Sequence, residues 1–202
     1  MKLFDFGVSH NCYKVRLLLS ILDVQYDRRM VDLMNGENRT AAFLKINPRG
    51  QVPVLEVEGR YIWDSTAILI YLAREYGGTH WLAQDALGMA EIAQWLAVAQ
   101  NELLYGVGRA HWLKRGGSGD VQEATRRGER GLQVLNKALE RSSWLAVERP
   151  SIADIACYPH ASLAHQAGIP LDDYPHIRKW CAAVERLSGY VNIEGIPPQR
   201  SV

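Results

Sequence analysis

The first thirty residues follow two different hydrophobic periods. Residues 2–6 (KLFDF) place apolar and polar side chains in turn, which predicts a short strand. Apolar residues then recur three or four positions apart and predict one buried face of a helix that begins at Asn11 and ends near Asp23: Val15, Leu18, Leu19 and Leu22. Residues 26–31 (YDRRMV) predict a second strand.

Turn residues divide the next stretch of the chain into short elements. Asn47–Gly50 and Glu58–Gly59 predict two turns, and Gly77–Gly78 predicts a helix end. Between these breaks lie a short helix, the two strands of a hairpin and an apolar third helix: 40–46, 53–57, 60–63, and the residues from Asp64-Ser65 through Tyr76. The order β-α-β-α-β-β-α predicts an α/β thioredoxin-like N-terminal domain over residues 1–78.

A linker at 77–88 separates this domain from a remainder that is predicted to be helical throughout. Long apolar faces with few breakers predict four helices: 88–113, 120–141, one that starts at 150–154, and 175–187. A tail follows at 188–202. We therefore expect an all-α C-terminal helical bundle over residues 88–202.

Composition narrows the classes of function. The formal net charge is +1, and Arg126, Arg127 and Arg130 are interleaved with acidic residues, so the field needed for nucleic-acid binding is missing. No apolar run approaches the roughly 18 residues of a membrane span, and the N-terminus has no apolar signal-peptide region. The three cysteines lack C-x-x-C spacing, and among the histidines only His160 and His165 are close together. We expect a cytoplasmic protein with no metal, no nucleic-acid partner and no membrane partner.

A hydroxyl and an amide stand where the first strand leads into the first helix, at Ser9 and Asn11. The unpaired N–H groups at a helix start favour negative charge. A hydroxyl there can donate a hydrogen bond to a bound thiolate, which stabilises the ionised form. The alternative is that Ser9 or Asn11 only caps the helix.

A proline precedes the third strand, at Pro53. An X-Pro bond adopts the cis form at modest cost. A cis bond here would turn the N–H and C=O of Val52 outward, where they can pair with an extended peptide. The alternative is an ordinary trans-proline at the start of a strand.

Asp64 and Ser65 precede the third predicted helix. The Ser65 hydroxyl and the local N–H groups suit a carboxylate, and Asp64 suits an ammonium group. The alternative is plain helix capping. A thioredoxin-like domain would bring these three features to one edge of its sheet: a hydroxyl that can stabilise a thiolate, a backbone that can pair with a peptide, and a pocket for the head group of an amino acid. Together they describe a site for glutathione.

Four segments of the chain resemble motifs of the glutathione S-transferase family, in particular its bacterial, serine-type, cytosolic members. They are similar to the family's S-x-N-C-x-K-V, N-P-x-G-x-V-P-x-L and E-S-x-A-I-L elements and to its buried N-capping box: 9–15, 47–55, 64–69 and 151–154. The resemblance covers nearly the full length and implies the glutathione transferase fold. Asp64 departs from the pattern, because glutamate is commoner there, and its reach is one methylene shorter.

The resemblance implies a role for each matched position. Ser9 would activate the thiol, with Asn11 as a second thiol-contacting group. Val52 would pair its backbone with the cysteinyl part of glutathione, and Pro53 would be the family's cis-proline. The other implied glutathione contacts are Asn38 or Arg39 at the glycyl carboxylate, Gln51 beside Val52, and Asp64 and Ser65 at the γ-glutamyl head.

The second-substrate site is less well defined by the sequence. His10 follows Ser9, and the long helix 88–113 would form one wall of the pocket in this fold. The candidates on that helix are Tyr105, His111 and Trp112. Cys12 lies on the first turn of the first helix, where we expect buried packing rather than a nucleophile.

The resemblance implies a glutathione transferase of the EC 2.5.1.18 type that serves detoxification. It would use glutathione as co-substrate, activate its thiol for attack on a small hydrophobic electrophile, and form a two-fold homodimer. A glutathione-dependent peroxidase or disulfide reductase would use the same site. The alternative that is not an enzyme is a non-catalytic binding module of the same fold. Ser9, Pro53 and the pair Asp64-Ser65 are all present, which favours the enzyme.

Overall fold

A computed structural model describes residues 1–195 of the chain, which divides into two compact units. The first unit consists of Met1–Tyr76 together with the segment that starts at Ser188, and the second is Gly77–Leu187. We expected the helical domain to extend from 88 to 202. The segment from Ser188 instead belongs to the first unit, and residues 196–202 of that expectation lie outside the described part of the chain.

The first unit contains a four-stranded mixed sheet in the order β2-β1-β3-β4. Strand β1 (Lys2–Asp5) runs parallel to β2 (Asp27–Met30) and antiparallel to β3 (Val54–Val57), which forms a hairpin with β4 (Arg60–Trp63). Its helices are α1, α2 and α3: His10–Ile21, Ala41–Ile46 and Ser65–Tyr76. This arrangement confirms the predicted thioredoxin-like order of elements.

The two central strands and helix α1 supply most of the buried side chains of this unit. Leu3 on β1 and Leu55 on β3 are fully buried, and so are Val15 and Leu18 on α1. A fully buried leucine contributes about 1.5–3 kcal/mol relative to an exposed one. Strand β2 is exposed along its whole length and carries charged residues, which suits an edge strand.

The second unit is helical, which confirms the predicted all-α domain. It contains α4 to α8: Ala86–Val98, Arg109–Lys114, Val121–Leu139, Ile152–Ser162 and Pro175–Val184. The single helix predicted over 88–113 is instead α4, a π-helical stretch Ala99–Gly108, and α5. Glycines explain how closely this stretch approaches α6, because a Cβ on Gly106 would lie 2.3 Å from the backbone nitrogen of Gly128.

A capping box starts helix α7, as the sequence predicted. Ser151 is the N-cap, and Asp154 Oδ2 accepts a hydrogen bond of 3.0 Å from the Ser151 backbone N–H. The other carboxylate oxygen of Asp154 accepts from Leu145 N at 3.1 Å and from Trp180 Nε1 at 2.8 Å. Burial raises the pKa of Asp154 to about 6, while these hydrogen bonds act in the opposite direction. The carboxylate therefore ties helix α7 to helix α8 and to the preceding loop.

All three cysteines are free and buried. Cys12 and Cys157 have no exposed surface, and Cys181 is 8% exposed. Burial, and next the negative charge of Asp5, raise the pKa of the Cys12 thiol well above its usual value. These observations agree with a packing role for Cys12 and disfavour a nucleophilic one.

Residues 1–195 contain neither a candidate membrane span nor a cluster of metal ligands. No helix in this part of the chain has both the length and the hydropathy to cross a bilayer. In the same residues, no three His, Cys, Asp or Glu side chains are grouped as potential metal ligands.

We predict that Asp154→Ala lowers the free energy of unfolding by about 3 kcal/mol or more, because three buried N–H donors lose their acceptor. Urea denaturation monitored by circular dichroism measures this change. Asp172→Ala is the matched control, since the Asp172 side chain is 88% exposed. A loss for Asp154→Ala no larger than that of the control would contradict the prediction.

The burial of the cysteines predicts low reactivity in the folded protein. Ellman's reagent should leave all three thiols of the native protein unmodified at pH 7.5 over minutes, and should modify all three in urea. Mass spectrometry after each treatment counts the modified thiols. Rapid native labelling of Cys12 would show that it is an accessible thiolate.

Candidate functional site

The register of the sheet brings the three predicted motifs to one edge. Phe4, next to the end of β1, pairs with Val54 at the start of β3, and Val54 pairs with Trp63 at the end of β4. Three segments of the chain begin or end there: residues 6–9, which we call the Ser9 loop, and the pairs Val52-Pro53 and Asp64-Ser65. All three motifs therefore leave the sheet at the same edge of the first unit.

Ser9 caps helix α1. Its Oγ accepts a hydrogen bond of 3.3 Å from Cys12 N, and its own N–H donates to Phe6 O at 2.9 Å. Because the capping bond uses an oxygen lone pair, the hydroxyl hydrogen stays available for an outside acceptor. The capping and thiol-activating interpretations of Ser9 are compatible, since one hydroxyl can do both.

Asn11 and His10 occupy the first turn of the same helix. Asn11 Oδ1 is buried and has no hydrogen-bond partner within the described residues. A buried polar atom without a partner costs about 1–3 kcal/mol. The His10 side chain is only 9% exposed, so it presents little surface to a ligand in this state.

The peptide bond between Val52 and Pro53 is cis, as the family resemblance implied. Two asparagine amides hold the turn that precedes it. Asn38 Nδ2 donates to Gly50 O at 2.7 Å, and Asn47 Nδ2 donates to Gln51 O at 2.6 Å. Within residues 1–195, the N–H and C=O of Val52 take no part in these turn hydrogen bonds or in the strand pairing.

Asp64 has a left-handed backbone conformation, with φ +78°. Such a conformation costs a non-glycine residue about 1 kcal/mol or more, and it is concentrated at functional sites. Its Oδ1 accepts from Thr66 N at 2.9 Å and caps the start of α3, while Oδ2 accepts from Arg49 Nη1 at 3.0 Å. The sequence-based prediction missed Arg49, although it stands within the Asn47–Gly50 turn motif.

Ser65 is the first residue of α3 and is 2% exposed. Its Oγ has no hydrogen-bond partner within residues 1–195. This serine is therefore not a simple cap, because a capping serine would accept from the helix backbone. A buried hydroxyl without a partner, next to a strained aspartate and a helix start, is the arrangement that a ligand carboxylate would complete.

The residues expected at the glycyl carboxylate differ in their contacts. Asn38 lies in a short 3₁₀ turn, Glu37–Arg39, and uses its amide to hold Gly50. Arg39 is exposed. Gln51 is exposed too, and its backbone C=O is held by Asn47.

Three of the four second-substrate candidates lie in the second unit. Tyr105 is 50% exposed on the π-helical stretch, and Trp112 is 49% exposed on α5 with the Arg109 guanidinium 4.3 Å from its ring centre. His111 is partly buried, and burial, together with Arg115 and a nearby histidine, lowers its pKa. His10, the fourth candidate, belongs to the first unit.

Two curated proteins similar to this chain carry different activity names. Maleylacetoacetate isomerase from Pseudomonas aeruginosa is 30% identical over 187 residues, which cover 89% of this chain and 88% of that protein. Disulfide-bond oxidoreductase YfcG from Escherichia coli is 31% identical over 186 residues, which cover 87% of this chain and 86% of that protein.

Solved structures of similar sequence share the fold. A possible glutathione S-transferase from Rhodopseudomonas palustris superposes with a TM-score of 0.89 at 36% identity, over 97% of this chain and 98% of that one. Ure2p in complex with glutathione superposes with a TM-score of 0.86 at 26% identity, over 93% and 95%. Family models of the glutathione S-transferase N-terminal and C-terminal domains match residues 1–74 and 118–183. With matches in both units and relatives along nearly its whole length, the chain belongs to the glutathione S-transferase family.

Proposed function

We propose that this protein binds reduced glutathione at the sheet edge and ionises its thiol for attack on a small apolar electrophile. The observation that carries the proposal is the geometry of Ser9. Its Oγ accepts from Cys12 N at the start of α1, which leaves the hydroxyl hydrogen for a ligand sulfur at the N-terminal end of the helix. The hydroxyl and the helix N-terminus would act on the same sulfur.

The magnitudes are sufficient for catalysis at neutral pH. A free thiol has a pKa of about 8.5, and one pKa unit corresponds to about 1.4 kcal/mol. One hydrogen bond to a charged group contributes about 1.5–3 kcal/mol, which lowers the thiol pKa by about one to two units. The partial positive charge of the helix start adds about 0.3–1 kcal/mol more. Proximity to the electrophile would supply the rest of the acceleration.

The remaining groups at the edge fit the rest of glutathione. The Val52 backbone would pair with the cysteinyl unit, and Ser65 Oγ with the γ-glutamyl carboxylate. Asp64 would receive the ammonium group, in exchange for part of its contact with Arg49. Asn11 would contact the thiol region, where its buried Oδ1 lacks a protein partner within residues 1–195. Asn38, Arg39 and Gln51 are proposed at the glycyl end. The glutathione complex of Ure2p supports the ligand class.

A second reaction at the same site is glutathione-dependent disulfide reduction. The similarity to disulfide-bond oxidoreductase YfcG favours it, at 31% identity over most of both chains. A thiolate held by Ser9 can attack a disulfide sulfur as well as an electrophilic carbon. The similarity to maleylacetoacetate isomerase adds a third kind of electrophile, a conjugated double bond. A panel with a chloronitrobenzene, a glutathione-derived disulfide and a maleyl compound separates the three reactions.

We predict that Ser9→Ala raises the pKa of bound glutathione and lowers kcat/KM at pH 6.5 by about ten- to hundredfold, because one charge-assisted hydrogen bond is lost. Thiolate absorbance against pH gives the pKa, and initial rates give kcat/KM.

The substitution also removes a helix cap, at a cost of about 1 kcal/mol of stability. Asp120→Ala is the matched control, because Asp120 caps α6 by accepting from Gln122 and Glu123 in the second unit. Asp120→Ala should lower the free energy of unfolding by about as much as Ser9→Ala and should retain the activity of the wild type. Full turnover in Ser9→Ala with loss in Asn11→Ala would transfer the thiol-activating role to Asn11.

For Ser65 we predict opposite effects on stability and on binding. Ser65→Ala should leave the free energy of unfolding unchanged or slightly higher, because the hydroxyl has no partner to lose among residues 1–195. It should weaken glutathione binding by about ten- to hundredfold, the effect of one lost hydrogen bond to a charged carboxylate. Calorimetric titration and thermal denaturation measure the two quantities.

Ser151→Ala is the comparison for Ser65→Ala, since Ser151 is also buried but is hydrogen-bonded. It should lose stability and retain glutathione affinity. If Ser65→Ala binds glutathione as the wild type does, Ser65 has no place in the site. If the wild type itself does not bind millimolar glutathione, the non-catalytic module is the better description.

A further inference from the structure

We propose that Glu194 is a positioning residue for the loop that carries Ser9, acting through a chain of ion pairs. The inference rests on the proposed function, because it assigns a support to the same thiol-activating hydroxyl. Glu194 lies far from Ser9 in sequence, in the segment after Ser188 that packs with the first unit. Paired charged side chains connect Glu194 to the Ser9 loop.

The ion pairs form a continuous series. Both oxygens of Glu194 accept from Arg28, one of them at 2.8 Å. The Arg28 Nε donates to Asp5 Oδ2, and Asp5 Oδ1 accepts from Arg16 Nη1 at 2.6 Å. The other Arg16 nitrogen, Nη2, donates to Gly7 O at 2.6 Å. The series therefore ends on the backbone of the loop, two residues before Ser9.

The Ser9 loop also lies directly against the segment that starts at Ser188. A Cβ on Gly7 would lie 2.7 Å from Glu194 Oε2, and one on Gly195 would lie 3.2 Å from Val8 Cγ1. The loop itself is closed by one backbone hydrogen bond, from Ser9 N to Phe6 O at 2.9 Å. Glu194 thus limits the space next to Gly7, and Arg16 holds the Gly7 carbonyl by a hydrogen bond.

Glu194 is itself held in place by the segment to which it belongs. Tyr13 on α1 donates through its hydroxyl to Val191 O at 2.6 Å, and Ile193 is only 7% exposed. Gly189 has φ +79°, and a Cβ on it would lie 2.5 Å from Ser20 O, so the segment runs close against the end of α1. These contacts hold the segment around Glu194 against helix α1.

The ion pairs differ in burial along the series: Asp5 and Arg16 are buried, whereas Arg28 and Glu194 are partly exposed to solvent. Asp5 is fully buried and the Arg16 side chain is 6% exposed, so these two charges depend on their pairing. The Arg28 side chain is 29% exposed and that of Glu194 is 49% exposed, beside a cavity of about 330 Å³. The hydrogen bonds from Arg28 lower the pKa of Glu194. Substitution at the partly exposed end can therefore loosen the loop without breaking the buried pair.

The sign of the effect separates positioning from simple charge. Glu194→Gln removes a negative charge from the first unit. Because that charge repels a thiolate, its removal alone would lower the pKa of a bound thiol. Loss of loop position weakens the Ser9 hydrogen bond and raises that pKa instead. One measurement, the pKa of bound glutathione, distinguishes the two.

The test compares Glu194→Gln, Glu194→Asp and Glu123→Gln with the wild type. Glu123 is the matched control, because it pairs with Arg126 on the exposed face of α6. We expect Glu194→Gln to raise the pKa of bound glutathione and to lower kcat at pH 6.5 by about two- to fivefold, the scale of a half-exposed ion pair. KM for glutathione should change less than kcat. Glu194→Asp should recover part of the loss, and Glu123→Gln should match the wild type.

Hydrogen exchange of the ligand-free protein keeps the inference separate from the proposed function. In Glu194→Gln, a peptide spanning residues 4–12 should exchange faster, while peptides from α6 should not change. An unchanged or lower thiol pKa, or unchanged exchange in this peptide, overturns the role of Glu194. Failure of the wild type to bind glutathione overturns the proposed function instead, and the exchange result then decides alone whether Glu194 confines the loop.

Discussion

The pairing of Val54 with two neighbouring strands is the constraint on which the candidate site depends. Val54 is fully buried and pairs with Phe4 on one side and with Trp63 on the other. Val54 and Leu55 are both fully buried, and side chains alternate along a strand, so a shift of one residue would exchange the faces of the sheet to which the side chains of β3 point. Burial thus fixes the register, and the register fixes which loops are neighbours. The alignment of the three segments proposed to bind glutathione, at Ser9, Val52-Pro53 and Asp64-Ser65, is a consequence of core packing.

Capping and chemistry are combined in the same residues. Ser9 and Asp64 each satisfy a backbone N–H at a helix start, as ordinary caps do. Each also retains a group that a ligand can use, a hydroxyl hydrogen in one case and a carboxylate in the other. Ser65 differs, because its buried hydroxyl has no partner in the described chain. The hydroxyl of Ser65 therefore adds no hydrogen bond to the start of α3 within residues 1–195, which is consistent with its proposed role in binding the ligand carboxylate.

The sequence was informative wherever structure is decided locally. The order of strands and helices, the turn at Asn47–Gly50 and the Ser151 capping box depend on neighbouring residues, and they were predicted. The ion pairs that support the site join residues far apart in sequence, so no periodicity or motif reveals them: Asp5 with Arg16 and Arg28, Arg28 with Glu194, and Arg49 with Asp64. The sequence analysis also missed the π-helical stretch, and the close approach of Gly106 to Gly128, which lies on another helix, is not visible in a local pattern.

The path of the chain also bears on its biosynthesis. The first unit is built from residues 1–76 and from the segment that begins at Ser188, so one structural body is encoded by two separate stretches of the gene. A ribosome must translate the entire second unit before the first receives Val191, Ile193 and Glu194. During synthesis the helical unit can fold first, because the N-terminal sheet still lacks its contacts with the segment after Ser188. The contribution of Glu194 to the Ser9 loop is therefore acquired only after the second unit has been synthesised, and a chain truncated at Leu187 lacks it.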